Sequence, residues 1–294
     1  MVGQAAIQSA ETVAALRAAV ANESALAVRC EDPLAKHFLG TKYKLLTRIR
    51  PQPLLKAVVN LISPGSYCFA IIRTRHFDET LLSEIGAGVE QVVLLGAGYD
   101  SRPFRFQYRL AGINVFELDA PGTQAHKRHI LDKVVKAAPP NLTFIALDFT
   151  KASFAAALEA HGFSPAKRTL FLWEGVSYYL PPPVVESVLT FVGSCAAGSS
   201  ILFDYAIKGF VNGDHSTYGG RQIARWLKKI GEPFLFGLDA GDAPEFLARC
   251  KLRIVSDLGP EDLEKAYLRT KSGDCLGRTL GHIRMVHART IGHS

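Results

Sequence analysis

The sequence predicts an α/β fold built on a doubly wound, mostly parallel sheet, and three observations predict it. From residue 91 onward, short apolar runs alternate with helical stretches, which is the βαβ rhythm of a parallel sheet. The first run, Val92-Val93-Leu94-Leu95, leads into Gly96-Ala97-Gly98, a tight turn that lets a ligand approach the backbone closely. The next three runs end in Asp119, Asp148 and Glu174, and Asp204 stands at the end of the fifth.

In chain order, residues 1–90 read as a helical N-terminal extension. Residues 10–21 are rich in strong helix formers, Pro53 can open a short helix that stops at Ser63-Pro64-Gly65, and Phe69, Ile72, Leu81, Leu82 and Ile85 mark one face of a third helix. Residues 91–205 form a cofactor-binding core, with strands expected at 91–95, 113–118, 142–147, 169–173 and 200–203. Prolines at 181–183 open a helix through Val184, Val185, Val188, Leu189 and Val192. Residues 206–251 break the alternation, with helices near 221–230 and 243–250, and read as an insertion that shapes a substrate pocket. Residues 252–294 add strands at 252–256 and 282–289, which makes seven strands in all. No repeat or linker interrupts this pattern, so a single domain is expected.

Composition sets the outer limits. Of 294 residues, 48% are hydrophobic and 21% charged, so the chain can bury a large core and is neither fibrous nor disordered. The five cysteines are scattered and include no C-x-x-C pair, which argues against a disulfide framework or a zinc site. No apolar run suffices to span a bilayer and no secretory signal pattern opens the chain, so a soluble cytoplasmic protein without a membrane partner is expected. The formal charge of +7 raises nucleic acid or an anionic small molecule as a partner. Because the excess is split into groups such as Lys42/Lys44/Arg48/Arg50 and Arg221/Arg225/Lys228/Lys229, ordinary solvated helix faces account for it.

Ligands of doubly wound sheets bind outside the carboxyl ends of the strands, where strand order reverses. Asp119, 23 residues after Gly96, is placed to accept both hydroxyls of a ribose. The other acids have a plainer reading as helix caps. An NAD(P) cofactor is therefore a candidate, although Ser101 stands where the dinucleotide fingerprint has its third small residue. A nucleoside cofactor without a pyrophosphate fits better. The chain has no G-x-S-x-G, P-loop or H-E-x-x-H motif, and His126 and His129 adjoin Lys127 and Arg128 on a basic helix face, so no metal site is expected.

Five stretches occur in an order that carries a resemblance: Arg73-Thr-Arg-His-Phe-Asp78, Leu95-Gly-Ala-Gly-Tyr-Asp-Ser-Arg102, Phe116-Glu-Leu-Asp-Ala-Pro121, Leu147-Asp-Phe149 and Trp173-Glu-Gly-Val-Ser-Tyr-Tyr-Leu180. In combination they resemble the leucine carboxyl methyltransferase family, which includes bacterial O-methyltransferases of secondary metabolism, over about residues 10–289. The resemblance implies a Rossmann-like class I methyltransferase fold, a last strand antiparallel to its neighbours, and S-adenosylmethionine as cofactor. It implies that Gly96, Ala97, Gly98 and Asp100 form the loop beside the methionine part, that Asp119 holds the ribose, and that Asp148 and Phe149 lie against the adenine. It further implies that Glu174 lies near the amino group and the methyl-transfer centre, while Arg73 meets the cofactor carboxylate and approaches the acceptor. Leu94 and Asp100 replace the acid and third glycine of the general methyltransferase pattern, a variant that the family tolerates. Arg17 is the nearest match to the family's N-terminal basic residue.

Methyl transfer from a sulfonium is an in-line displacement in which positioning provides most of the acceleration. An ionised carboxylate acceptor needs no base, whereas a hydroxyl does. No histidine is expected at the strand ends, which favours a carboxylate oriented by Arg73 or Arg75, with Glu174 and Tyr179 as further candidate catalytic residues. Pairing with Asp78 or Glu79 is an equally simple reason to bury one of these arginines. Tyr205, Tyr218, Arg221 and Trp226 lie where relatives differ and do not identify a small-molecule acceptor. An NAD(P)-dependent oxidoreductase and a non-catalytic cofactor-binding or RNA-associated protein stay open as alternatives, separable by cofactor binding and by salt-sensitive nucleic-acid affinity.

Overall fold

The computed structural model describes residues 2–148 and 153–292, with side chains from Ile7 onward. Its strands are β1 Gln91–Leu95, β2 Asn114–Asp119, β3 Leu142–Ala146, β4 Thr169–Trp173, β5 Ser200–Ile207, β6 Gly237–Leu238, β7 Leu252–Leu258 and β8 Ile283–Thr290. They form one sheet in the order β3-β2-β1-β4-β5-β8-β7, and the two-residue β6 pairs with β5 beyond its partner strands. All pairings are parallel except those of β8 with β5 and β7. Strand order therefore reverses between β1 and β4, the place where a doubly wound sheet opens a crevice.

The central strands are apolar on both faces because both faces are covered. On one side Val92, Leu94, Val115, Leu170, Leu172 and Leu202 pack with the helix Ser66–Gly86 through Ile71, Ile72 and Phe77. On the other, Val93, Leu95, Phe116, Phe171, Trp173 and Phe203 pack with the helix Pro182–Ser194 through Val185, Val188 and Leu189. The period-2 alternation along each strand fixes which residue serves which layer. A third cluster joins Ala14, Ala15 and Ala18 of the helix Val2–Val20 to Phe38, Tyr99 and Phe104. It lays the N-terminal helix over the turn that follows β1.

The bounds of β2, β3, β7 and β8 lie within one or two residues of those expected, and two differences are larger. β5 continues past Phe203 to Ile207, so Asp204 lies inside a strand rather than at its end. β6 adds a short strand to the seven expected, within the segment read as an insertion, where two residues are too few to leave a periodic signal. Among the described residues, no single helix is long and apolar enough to cross a membrane.

Candidate active site

A cavity of about 1320 Å³ opens at the carboxyl ends of the strands and is lined by Gly96, Gly98, Asp119, Asp148 and Glu174. The turn after β1 shapes its floor. Gly96 has φ +65°, and a Cβ there would come within 2.6 Å of Val176, so both the backbone angle and the close approach require glycine. The turn is pinned to β2 where Ala97 N–H donates to Leu118 O at 3.0 Å. Asp119 then holds the turn from the side. Its carboxylate accepts from Gly98 N–H and from Ala120 N–H. Burial pushes the Asp119 carboxyl above the ordinary range, while these two amides oppose that shift. A carboxylate has about four acceptor positions, so two remain for hydroxyl donors.

Beyond the turn lies a buried network of guanidinium and carboxylate groups. Arg73, from the helix Ser66–Gly86, places Nε 3.2 Å from Glu174 Oε1 and Nη1 3.3 Å from Asp204 Oδ2. Arg102 Nη1 lies 2.7 Å from Glu174 Oε2 and 2.5 Å from Asp100 Oδ2, and its Nε donates to Asp78 at 2.7 Å. Arg17 reaches in from the N-terminal helix, with Nη2 donating to Tyr99 O at 2.5 Å, Nε 3.2 Å from Asp32 and Nη1 3.9 Å from Glu174. Asp204 completes the network by accepting Gly175 N–H at 2.7 Å.

The protonation states follow from this packing. Burial alone would raise Glu174, but Arg102, Arg73 and Arg17 outweigh it and hold the carboxyl below its usual range. Asp100, also buried, is drawn down to about 2 chiefly by Arg102. Asp204 goes the other way, pushed up by burial to about 6, with only Arg73 and one amide near enough to oppose the shift. Burial also raises Tyr178 and Tyr179, so both phenols keep their protons at neutral pH.

The rest of the cavity is mainly apolar, although Lys42, Arg48, Lys229 and Glu232 also lie on its lining. Leu46, Ile49 and Val59 line it from the N-terminal extension, and Ile223, Trp226 and Phe234 from the segment after β5. Tyr178 and Tyr179 stand between the two regions, with ring centroids 4.2 and 5.0 Å from Phe234.

Of the residues expected at the site, the structure brings together Arg73, Gly96, Ala97, Gly98, Asp100, Asp119, Asp148, Glu174 and Tyr179 along one cavity. Phe149 lies outside the described residues. Arg17, uncertain from sequence, joins them. Arg75 does not: it pairs with Glu79 at 3.0 Å and donates to Tyr267 O at 2.9 Å. Two residues apart on a helix, Arg73 and Arg75 face different ways, so only one can enter the cavity. Of the pairings considered for a buried arginine, Glu79 goes to Arg75, while Asp78 goes to Arg102 and Arg105. Tyr205 is a packing residue whose hydroxyl donates to Asp257 at 2.8 Å, and Arg278 lies over the Tyr218 ring.

Arg102 and His282 were not singled out from the sequence. Arg102 belongs to the glycine-turn motif, and the acids of the neighbouring motifs were the signal for it. His282 precedes β8, and because β8 is antiparallel its beginning lies at the same edge as the carboxyl ends of the parallel strands. A histidine does therefore stand at the ligand-binding edge, contrary to the expectation drawn from strand ends alone.

Fold and site define a class: an α/β protein with a doubly wound sheet and a large cavity at its switch point. Residues 10–193 match the model of the leucine carboxyl methyltransferase family, and the chain belongs to that family. It is an S-adenosylmethionine-dependent methyltransferase, which decides between the nucleotide cofactors left open by the sequence. A Bacillus subtilis relative described as "Putative S-adenosyl-L-methionine-dependent methyltransferase YktD" is 29% identical over 223 residues, 75% of this chain and 72% of YktD. A Parafrankia relative of the same description is 39% identical over 174 residues, 58% of this chain and 54% of that protein. The alignments thus span between about half and three quarters of these relatives. A DUF574 family protein from Streptomyces avermitilis shares the fold, with TM-score 0.61, 12% identity and coverage of 95% of this chain and 97% of that one.

Proposed function

We propose that this chain methylates an oxygen of a small-molecule acceptor, with a carboxylate as the favoured group and a hydroxyl as the second. The observation that carries the reading is a single cavity whose charged end meets an apolar chamber at Glu174, Arg73 and Tyr179. The donor set fits S-adenosylmethionine. Asp119 offers acceptors for two ribose hydroxyls, the turn at Gly96, Ala97 and Gly98 admits close backbone approach, and Asp148 borders the adenine. Glu174, held ionised, accepts from an ammonium group, while Arg17 and Arg73 face a carboxylate. Asp100 fixes Arg102, which keeps Glu174 in place.

When bound, the cofactor supplies an electrophilic methyl group on a sulfonium with a neutral thioether as leaving group. The chain's own residues hold the acceptor oxygen in line with it and exclude water. Tyr179 donates a hydrogen bond toward the acceptor and carries no negative charge of its own. Glu174 is a weak base, since its carboxyl is held below the usual range. A neutral hydroxyl would lack a strong base at this end of the cavity, whereas an ionised carboxylate needs none. That contrast favours carboxyl methylation, with the remaining N–H groups of Arg73 directed at the acceptor.

Calorimetry with S-adenosylhomocysteine and NADH tests the cofactor, with binding expected for the first alone. For the acceptor group, a methyl ester releases methanol in mild base and a methyl ether does not. Base-stable product combined with full turnover by Arg73→Ala would remove the carboxylate reading.

A further inference from the structure

The cavity opens to solvent between two kinds of residue. Leu45, Ile62 and Leu235 line it and are nonetheless exposed, Leu45 at 70% and Ile62 at 64%. Lys42, Arg48 and Lys229 share that lining and are also exposed. Residues that both line a cavity and meet solvent stand at its mouth, so the mouth is rimmed by large aliphatic and cationic side chains. Glu232, the acid that joins them on the lining of this half, accepts from the Ser9 hydroxyl at 2.8 Å.

The surface beside the mouth continues the pattern. The helix Thr41–Leu46 and the residues after it carry Lys44 and Arg50, both exposed. The helix Gln52–Ile62 carries Leu54 and Leu61 on one exposed face, with Leu61 at 84%, because positions seven apart on a helix point the same way. Residues 33–77 contain no aspartate or glutamate, so no acid within the stretch neutralises these cations. Solvation accounts for the lysines and arginines by themselves. It does not account for Leu45, Leu54, Leu61 and Ile62 left in water beside them, since clustered exposed apolar residues mark an interaction surface.

We infer that this face docks on an anionic lipid bilayer, with the four aliphatic residues seated among the head groups and Lys42, Lys44, Arg48 and Arg50 held by their negative charge. Composition decides between partners. Lysine is depleted at the centres of protein–protein interfaces, whereas aliphatic residues mixed with lysine and arginine are what membrane-surface helices present. The absence of a spanning run, which leads the sequence to predict no membrane partner, does not bear on a contact confined to the bilayer surface. Docked in this way, the mouth of the apolar chamber faces lipid instead of water. The contact is independent of which oxygen the enzyme methylates.

The test is sedimentation of the full chain with vesicles of phosphatidylcholine alone and with vesicles in which about a third of the lipid is phosphatidylglycerol. Affinity for the mixed vesicles should be higher by roughly tenfold or more, and should fall as salt is raised. Leu61→Asp and Lys44→Glu alter this face at positions off the cavity lining, and each should weaken binding by about five- to tenfold. Val255→Asp, at an exposed apolar position on β7, should leave it unchanged. Circular dichroism identical to that of the wild type reports folding of each variant. No binding of the wild type to mixed vesicles, equal binding to neutral ones, binding that survives both Leu61→Asp and Lys44→Glu, or an equal loss in Val255→Asp would overturn the inference. So would wild-type dimers in analytical ultracentrifugation that Leu61→Asp dissociates, because a second copy would then cover the face.

Discussion

The two halves of the cavity are built on opposite principles. The charged half stands on strand ends and buried ion pairs, in which Arg102 touches Asp78, Asp100 and Glu174 and is itself 1% exposed. Arg73, Arg102, Asp100, Glu174 and Asp204 each have an oppositely charged partner, because an unpaired buried charge costs several kcal/mol. The apolar half is walled by segments outside the regular alternation, including the helices Gln52–Ile62 and Gly220–Ile230, where volume and not partnership is required. The difference teaches where tolerance lies. Single substitutions should be ruinous in the charged half and mild, affecting acceptor choice alone, in the apolar half.

The strongest way to break that contrast is Arg102→Ala. It leaves Asp78, Asp100 and Glu174 short of a shared partner, and breaking a buried pair in this way costs about 3–5 kcal/mol. Urea unfolding of the variant should show that loss, together with loss of S-adenosylhomocysteine binding. A change below about 1 kcal/mol would mean that the network is replaceable. Asp119→Ala comes next. It removes charge-assisted acceptors for the ribose, each worth about 1.5–3 kcal/mol, so S-adenosylhomocysteine should bind roughly 10- to 100-fold more weakly and its stabilisation of the fold should shrink accordingly. Equal affinity in variant and wild type would remove Asp119 from the cofactor site.

The same contrast explains what was legible in the sequence. The strands β1 and β4 match their expected bounds because each is a run of apolar residues with both faces covered, closed by a glycine turn or an acid. Gly96, Asp119 and Glu174 could be singled out because the sheet edge where ligands bind follows from strand direction. Asp204 misled as a strand end, since a buried acid inside a strand is tolerated only when a partner such as Arg73, 131 positions away, is present. Arg102 was only half visible: Asp100, two residues before it, is a local partner, but Asp78 lies 24 residues away in another motif. The walls of the apolar half left least trace, because Ile49, Ile223 and Trp226 have no shared period and read equally well as core.

His282 is a buried polar residue on the lining of the mainly apolar half. With its folded pKa lowered to about 3 by burial, against an ordinary 6.5, its contribution to stability is full above pH 6.5 and is lost as pH falls toward 3. His76 and His287, each lowered to about 4, act in the same direction, while Asp204, raised to about 6, and Glu117, raised to about 7, act in the opposite one. The comparison with His282→Phe isolates a single share. Between pH 7 and pH 5 the variant should lose less stability than the wild type, by about 2 kcal/mol in denaturant titrations. Identical losses would mean that the imidazole is not kept neutral by its surroundings.

The smallest expected effect sharpens the contrast most directly. Trp226 lines the apolar chamber and is half-buried, on the helix Gly220–Ile230, and it takes no part in the ion network among the described residues. Trp226→Ala removes apolar surface that an acceptor would cover, and partial loss of such contact is worth about 1 kcal/mol, or roughly fivefold in binding. With 2-naphthoate as an aromatic carboxylate probe of the chamber, affinity should fall by about that factor, while S-adenosylhomocysteine binds as it does to the wild type. Isothermal titration of both ligands against both proteins measures the two numbers independently. If the variant weakened S-adenosylhomocysteine as much as the probe, the two halves would not be separable, and acceptor specificity could not be altered without disturbing the cofactor end.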